Sequence, residues 1–198
     1  MRALDLLAPL FFSRASQAAQ EDELIERLRR GDNAAIAEVY DEHYASVRAF
    51  ARRLTGDDAA AEDLVHDVFV TLPSAAQRFR GESSLKTFLV SIAVNHARHY
   101  VRAAARRRAM MEKLGCEPLP ETPNPEREVN RAALAKALHR ALDELPDAQR
   151  VAFVLCEVEE RSAREAAEIM GVPEATARTR LFHAKQKLRA LLDEEESR

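Results

Sequence analysis

The sequence FRGESSLKTFLVSIAVNHARHYVRAAARRR, residues 79–108, decides the fold of this chain. It begins with a polar loop around Gly81 and continues into a segment whose apolar residues recur every three or four positions. That spacing predicts an amphipathic helix that buries one face in a core. The predicted core positions are Leu85, Phe88, Leu89, Ile92 and Ala93.

The predicted solvent face of this helix is basic. A positive stripe beside a loop rich in hydrogen-bonding groups can bind a phosphate backbone and contact the bases beside it. A solvated helix whose basic residues are favoured near its C-terminus by the helix dipole is the alternative. The polar residues of the stripe are Lys86, Asn95, Arg98 and Arg102, and the run Arg106, Arg107 and Arg108 follows them.

The overall charge conceals a strong local asymmetry. The chain has 198 residues, enough for one large or two small domains, and a formal net charge of -3. Acidic residues crowd positions 112–128 and 193–196, whereas arginines crowd positions 98–108. Because salt screens distant charges more than near ones, a local basic patch can bind a polyanion even in a mildly acidic protein.

Cysteine usage and the N-terminus bear on the compartment. Cys116 and Cys156 are too few for a disulfide framework or a CxxC metal site, so a reducing cytoplasmic compartment is the simplest inference. The first twelve residues contain one arginine and an apolar stretch, but Asp5 and Pro9 interrupt this stretch and it is shorter than a membrane span. We therefore expect a soluble, cytoplasmic protein with an N-terminal extension over residues 1–20. A degenerate signal peptide is the alternative.

The composition predicts an all-α protein. Glycine is scarce, whereas alanine, leucine, glutamate and arginine abound, and no segment alternates in the way that would require a strand. A short helix over residues 21–30 is expected to end at Gly31. Asp32 can cap a long second helix, which residues 55–58 interrupt.

A third helix is predicted over residues 59–72. Pro73 lacks a backbone donor and disfavours helix in the residue before it, so a kink or a restart is expected there. The polar loop and the basic helix follow. These elements together predict a first helical domain over residues 21–109.

Residues 110–130 differ in character from the segments on either side. They contain Gly115, four prolines and several glutamates without a sustained apolar period, which predicts an extended acidic linker. A second helical domain is expected over residues 131–194. Its row of leucines ends at Pro146, and the helix predicted over residues 147–159 has Val151, Val154, Leu155 and Val158 as its inward residues.

The segment from Ser162 onwards has the pattern of a helix-turn-helix. Ser162 and Glu165 can form a capping box, Gly171 can make the turn, and Pro173 suits the first turn of the next helix. Polar residues at the front of the second helix could then read a major groove, as arginine grips a guanine edge. An ordinary helical hairpin with a basic face is the alternative. The candidate contacts are Arg178, Thr179, Arg180, Phe182, His183 and Lys185.

No catalytic or metal constellation emerges from the sequence. His96 and His99 are three residues apart on the basic helix, but no third ligand is suggested nearby. Ser83 and Ser84 lack the strand-turn-helix context of a nucleophile. We therefore expect no enzyme activity, no metal and no cofactor.

The sequence resembles a known family, the extracytoplasmic-function (ECF) sigma factors. These are small two-domain promoter-specificity subunits of bacterial RNA polymerase. The first half of the resemblance comprises AEDLVHDVFVTL at 61–72 and QRFRGESSLKTFLVSIAVNHAR at 77–98. The second half comprises ALDELPDAQRVAFVLCEVEE at 141–160 and TARTRLFHAKQKLR at 176–189. The resemblance implies a region 2 type domain before the linker and a region 4 type domain after the linker.

The resemblance also implies partners and roles. The expected partners are core RNA polymerase, promoter DNA and an anti-sigma factor, and the acidic linker would approach the polymerase active-site cleft. The second domain would read the -35 element through the residues of the helix-turn-helix named above. The residues implied for core polymerase are Asp63, Leu64, Asp67, Val68 and Phe69. Those implied for the -10 element, where a flipped base is held, are Phe79, Arg80, Gly81, Glu82, Ser83, Ser84, Lys86, Asn95, Arg98 and Arg102.

Two other functions stay open at this point. An autonomous helix-turn-helix regulator would need its own dimer interface, and no coiled-coil heptads are evident. A helical metal-dependent enzyme would require bound metal in the purified protein.

Overall fold

The computed structural model describes residue 20 and residues 22–114 and 137–196. Throughout these ranges the regular elements are helices and none is a strand, which confirms the all-α prediction. The predicted linker beyond residue 114, Cys116, and all but the last residue of the predicted N-terminal extension lie outside the described residues.

The first two helices begin and end where local signals predict. Helix α1 covers residues 22–29, and Gly31 follows it with a φ of 71°. Helix α2, Asn33–Thr55, begins after Asp32, whose carboxylate accepts a hydrogen bond from the backbone N–H of Ala34 at 2.8 Å. Because this carboxylate also accepts from the Arg27 guanidinium, the pKa of Asp32 is lowered.

Helix α3, Asp58–Ala76, runs through Pro73 without interruption, so the restart expected at that residue is wrong. Proline removes one backbone hydrogen bond from a helix but does not remove the packing of its neighbours. Leu72 and Ala76, on either side of Pro73, are 0% and 1% exposed. Burial of these two side chains keeps the chain helical, because tertiary packing supplies most helix stability in a folded protein.

Helix α4, Leu85–Lys113, is the long helix predicted from the basic stretch, and it continues beyond residue 109 into the predicted linker. Helices α2, α3 and α4 pack against one another around a shared core. Its fully buried large side chains include Val39, Val47, Phe50, Leu54, Leu64, Val68, Leu72 and Leu89.

The second half begins with helix α5, residues 137–143, and helix α6, Asp147–Phe153. Helix α6 passes directly into a π-helix, Val154–Val158, whose last turn is closed by the N–H of Glu159 donating to the carbonyl of Val154 at 2.9 Å. A π turn contains an extra residue and rotates the residues that follow it around the axis. Val158 is therefore 43% exposed, and its predicted inward position is wrong.

The helix-turn-helix prediction is confirmed in its local geometry. Helix α7, Ala163–Met170, starts with a complete capping box between Ser162 and Glu165. It ends at Gly171, whose φ of 62° lies in the left-handed region that favours glycine. Helix α8, Glu174–Glu196, follows directly and packs on both α6 and α7.

The two halves pack against each other. Helix α7 lies on α4, and the π-helix lies on α2. Val151, Val154, Leu155 and Ile169 consequently belong to the same buried cluster as the core of the first domain. A separate small cluster around Leu142, Leu145 and Leu188 holds α5 against α8. Helix α4 thus joins the core of the first domain to the second.

Candidate nucleic-acid interface

The polar loop between α3 and α4 is fastened by an arginine from α1. The guanidinium of Arg29 donates to the carbonyl oxygen of Phe79 at 2.6 Å and to that of Ala76 at 3.0 Å. In return, the amide of Gln77 donates to the carbonyl of Arg29 at 2.5 Å. Backbone acceptors leave no pattern in a sequence, so Arg29 could not be recognised as the residue that shapes this loop.

The loop encloses one side of an open cleft of about 200 Å³. Phe79 is buried against Phe88, with ring centroids 4.5 Å apart. The hydroxyl of Ser84 accepts from the N–H of Thr87 at 3.2 Å and so caps α4. Gly81 has a φ of 72° with open space around it. The -10 candidates that line the cleft are Phe79, Arg80, Glu82 and Ser83.

The basic face of α4 begins beside this cleft. Asn95, Arg98 and Arg102 are exposed and follow one another at helical spacing, as predicted. Lys86 is exposed too, but it precedes Asn95 by nine residues, which is about two and a half helical turns. It therefore lies on the opposite side of the helix, and its predicted place in the stripe is wrong.

The arginines of α4 differ in what they contact. Arg98 and Arg102 both reach the carboxylate of Asp147, at 3.2 and 3.1 Å. Arg107 pairs with Asp57, the cap of α3, at 2.5 Å. Arg108 makes two bonds to the carboxylate of Asp143 and a third to a backbone carbonyl of α2. The end of the run thus fastens helices together, whereas Arg98 and Arg102 lie nearest the cleft.

Arg150 carries a buried charge that was not predicted from the sequence. Its side chain is fully buried, and it donates to the carbonyl of Leu54 at 2.7 Å and to Asp143 at 2.6 Å. Burial lowers the pKa of Arg150, and the neighbouring Asp143 opposes that change. Arg150 precedes Val154 by four residues, which places it on the apolar side of α6, and this spacing could have revealed it.

The candidate -35 residues occupy the outer side of α8. Phe182 is 63% exposed and contacts the ring of His183, which is also exposed. Arg178 and Thr179 are exposed and bond within their own helix, to Glu174 and to the carbonyl of Ala175. Two further candidates complete the surface: Arg180 is half-buried, and Lys185 pairs with Glu157 at 2.7 Å.

The residues predicted to contact core polymerase do not share a surface. Leu64 and Val68 are fully buried in the core, so their side chains cannot contact a partner directly, and that part of the prediction is wrong. Asp63 is exposed, and Asp67 accepts a hydrogen bond from the Tyr100 hydroxyl. Burial and this hydrogen bond raise the pKa of Tyr100 to about 12.

An apolar groove lies on the outer side of α2 and α3. It has a volume of about 450 Å³, and Phe69, which is 6% exposed, reaches it from the core. Tyr40 is 41% exposed and stacks on Tyr44. The sequence offers one signal for this surface, since Val70 falls outside the apolar period of α3 and is 63% exposed. The other lining residues include Ile36, His66 and Pro73.

Across residues 20, 22–114 and 137–196, no helix is long and apolar enough to cross a membrane. Within the same ranges, no three histidine, cysteine or acidic side chains are grouped as a metal ion would require.

Comparisons with known proteins agree with this architecture. Residues 39–107 match the family described as sigma-70 region 2, and residues 135–188 match sigma-70 region 4. The chain is 30% identical over 183 residues to the ECF RNA polymerase sigma-E factor of Escherichia coli, covering 87% of this chain and 94% of that protein. It is 28% identical to the RNA polymerase sigma-H factor of Pseudomonas aeruginosa, over 85% of this chain and 92% of that protein.

Two solved structures resemble the fold. CnrH in complex with the cytosolic domain of CnrY superposes with a TM-score of 0.58 at 21% identity, covering 87% of this chain and 97% of that one. The sigma factor RpoE of Bartonella quintana, in complex with the anti-sigma factor NepR, superposes with a TM-score of 0.54 at 25% identity, over 79% of this chain and 96% of that one. ECF sigma factors are transcription initiation factors and not enzymes. The helix-turn-helix, the basic helix with its loop and these relatives together show that the chain belongs to the ECF family of RNA polymerase sigma factors.

Proposed function

We propose that the loop from Phe79 to Ser84 and the adjoining face of α4 recognise the -10 element of a promoter as single-stranded DNA. The observation that carries the proposal is the open cleft lined by Phe88 and Ser83 beside two exposed arginines. Aromatic rings and hydroxyl groups can hold an unstacked base by stacking and hydrogen bonding.

The amide and the arginines at this site are proposed to have different roles. The Asn95 amide can both donate and accept hydrogen bonds, so it can distinguish one base from another. Arg98 and Arg102 present charge to phosphates, which positions the strand without reading its sequence. Lys86 lies around the helix from this surface and is left out of the proposed site.

The second domain is proposed to read the -35 element in duplex form. Arg178 and Thr179 lie near the N-terminus of α8, the end that enters the major groove in helix-turn-helix proteins. The exposed ring of Phe182 can contact thymine methyl groups, and Arg178 can bind a guanine edge once its pairing with Glu174 is exchanged.

The core polymerase interface is proposed at the groove formed by α2 and α3. It combines exposed apolar surface from Tyr40 and Val70 with the carboxylate of Glu62, and the exposed Asp63 follows Glu62 on α3. Exposed apolar residues gathered in one groove are typical of protein interfaces, whereas isolated ones are ordinary.

An anti-sigma protein is proposed as a further partner. The support comes from the two structural relatives, CnrH with CnrY and RpoE with NepR, both of which were solved as complexes.

The cytoplasm is proposed as the compartment, because polymerase and promoter meet there.

Transcription by reconstituted polymerase from a promoter library tests the -10 assignment. Asn95→Ala should alter the preference at one promoter position, because it removes a base contact. Arg102→Ala should weaken all promoters similarly and reduce the salt dependence, because it removes a phosphate contact. An identical, uniform loss in both variants would contradict the division of roles. Tight sequence-specific duplex binding by the free protein would instead favour an autonomous regulator.

A further inference from the structure

Helices α1 and α3 end beside each other, and a side chain from each helix end caps the other. The last carbonyl groups of a helix have no hydrogen-bond partner within that helix. Nε of Arg29, at the end of α1, donates to the carbonyl of Ala76, the last residue of α3, at 3.0 Å. The side-chain amide of Gln77, which follows α3, donates to the carbonyl of Arg29 at 2.5 Å. This exchange of hydrogen bonds holds the two helix ends together.

Arg29 also binds the first residue of the loop that lines the cleft. Its Nη2 donates to the carbonyl of Phe79 at 2.6 Å, and its Nη1 pairs with Glu26 one turn earlier in α1. Each of the three guanidinium nitrogens therefore has a partner within the protein. Since these partners already engage the guanidinium, its geometry favours a contact with the loop backbone over a contact with a DNA phosphate.

Helix α1 is a fixed support for this side chain. Leu28, which precedes Arg29, is fully buried and belongs to the core that α2, α3 and α4 share. Ile25, one turn earlier, is buried as well. Because protein cores are closely packed, the backbone of α1 cannot shift without disturbing these side chains. A guanidinium supported in this way can determine where the carbonyls that it binds are placed.

The loop is held at both of its ends. At the first end, the ring of Phe79 packs on Phe88 with centroids 4.5 Å apart, while its carbonyl is bound by Arg29. At the second end, the hydroxyl of Ser84 caps the first turn of α4. Residues 80–83 lie between these two points, and three of them line the cleft. A short segment with two fixed ends has few conformations, so the cleft is preorganised for its ligand.

We infer that Arg29 is a positioning residue for -10 recognition: it holds the loop from Phe79 to Ser84 in the conformation that receives the base, without contacting DNA itself. The inference rests on the proposed function of the loop. It assigns part of the promoter specificity to α1, a helix outside both proposed DNA surfaces. Loss of the two carbonyl contacts would allow the loop further conformations, and the affinity for the preferred base would fall with the fraction of molecules in the competent one.

The test measures transcription by wild-type and variant factors, each assembled with core polymerase, from promoters with randomised -10 and -35 elements. A variant in which Glu82 and Ser83 are both replaced by alanine identifies the -10 position that the loop reads. At that position, Arg29→Ala should reduce the discrimination between the preferred base and the others about tenfold. The -35 preference should stay that of wild type. The salt dependence should also be unchanged, whereas Arg102→Ala should reduce it.

Two further variants separate the positioning role from an effect of charge. Arg30→Ala removes the same charge from the exposed neighbouring residue and should leave the -10 preference unchanged. Arg29→Lys keeps the charge, but an ammonium group lacks the planar fork that bridges two carbonyls. It should therefore lose nearly as much discrimination as Arg29→Ala. Thermal unfolding of each variant sets an assay temperature at which all of them are folded.

Hydrogen–deuterium exchange measures the start of the loop in the free protein. The N–H groups of Arg78 and Phe79 donate to carbonyls of α3 at 2.9 and 3.1 Å. Both amides should exchange faster in Arg29→Ala than in wild type or Arg30→Ala, because the carbonyls are no longer held by the guanidinium. Unchanged exchange would overturn the inference, since the loop would keep its shape without Arg29.

The transcription outcomes separate a failure of the inference from a failure of the proposed function. If the double loop variant alters a -10 preference and Arg29→Ala does not, the inference fails and the proposed function stands. Restoration of the preference by Arg29→Lys would also overturn the inference, because charge alone would suffice. Equal losses of -10 and -35 preference in Arg29→Ala would indicate a general structural role and reject it as well. If the double loop variant changes no preference, both the inference and the proposed function fail.

Discussion

Val68 and Val70 are two residues apart on α3, yet one is fully buried and the other is 63% exposed beside the groove. Replacing each by alanine removes the same two methyl groups in opposite environments. In Val68→Ala, the lost burial costs about 1.6 kcal/mol, and the cavity left behind raises the total to roughly 2–3 kcal/mol. For a protein of this size, the melting temperature should fall by roughly 5–10 °C.

Val70→Ala should leave the stability within about 0.5 kcal/mol of wild type. If polymerase covers the exposed part of this side chain, the variant loses about 1 kcal/mol of binding free energy, or about fivefold in affinity. Thermal unfolding followed by circular dichroism measures the first effect, and competition with labelled wild-type factor for purified core polymerase measures the second. Val68→Ala, assayed well below its melting temperature, should compete as well as wild type.

The reverse pattern would refute this reasoning. If Val68→Ala competed poorly while it melted normally, the buried row of α3 would be the interface after all. A large loss of stability in Val70→Ala would show that the groove is part of the core.

Two further predictions concern hydrogen bonds whose partners titrate. Ser162→Ala removes the cap of α7 and should lower the free energy of unfolding by about 1 kcal/mol. Because the Ser162 hydroxyl lowers the pKa of Glu165, the difference from wild type in chemical unfolding should shrink as the pH falls below 4.5. An undiminished difference in acid would contradict this prediction. Burial and Asp67 raise the pKa of Tyr100 to about 12 from its ordinary 10.0. The hydrogen bond from Tyr100 to Asp67 therefore contributes fully to stability below pH 10, and its contribution is lost as the pH rises towards 12. An ultraviolet titration in which Tyr100→Phe removes a phenol that ionises near pH 10 would exclude this hydrogen bond.

The local signals in the sequence predicted most of the helices. Asp32, Ser162 and Gly171 act within a few residues of their own positions, so their effects can be read from sequence spacing. Pro73 could not be placed correctly, because the packing of Leu72 and Ala76 overrides the preference of a single residue.

The candidate site was predictable where it depends on exposed side chains of one helix, as with Asn95, Arg98 and Arg102. It was not predictable where partners are distant in sequence. Asp147 meets the arginines only because the second domain docks on α4, and Arg150 binds a backbone carbonyl 96 positions away. Val158 was misplaced for a related reason, since a π turn leaves no apolar period that sequence analysis could detect.

The contacts of Arg29 bear on where the N-terminal boundary of a fragment of this protein should be placed. The match to sigma-70 region 2 begins at residue 39, so a fragment excised at that boundary would retain the loop, Asn95 and the basic stripe of α4. It would lack the guanidinium that holds the carbonyls of Ala76 and Phe79. Such a fragment would carry every residue of the recognition surface without the contact that gives the surface its shape. Excision at residue 22, before α1, retains both.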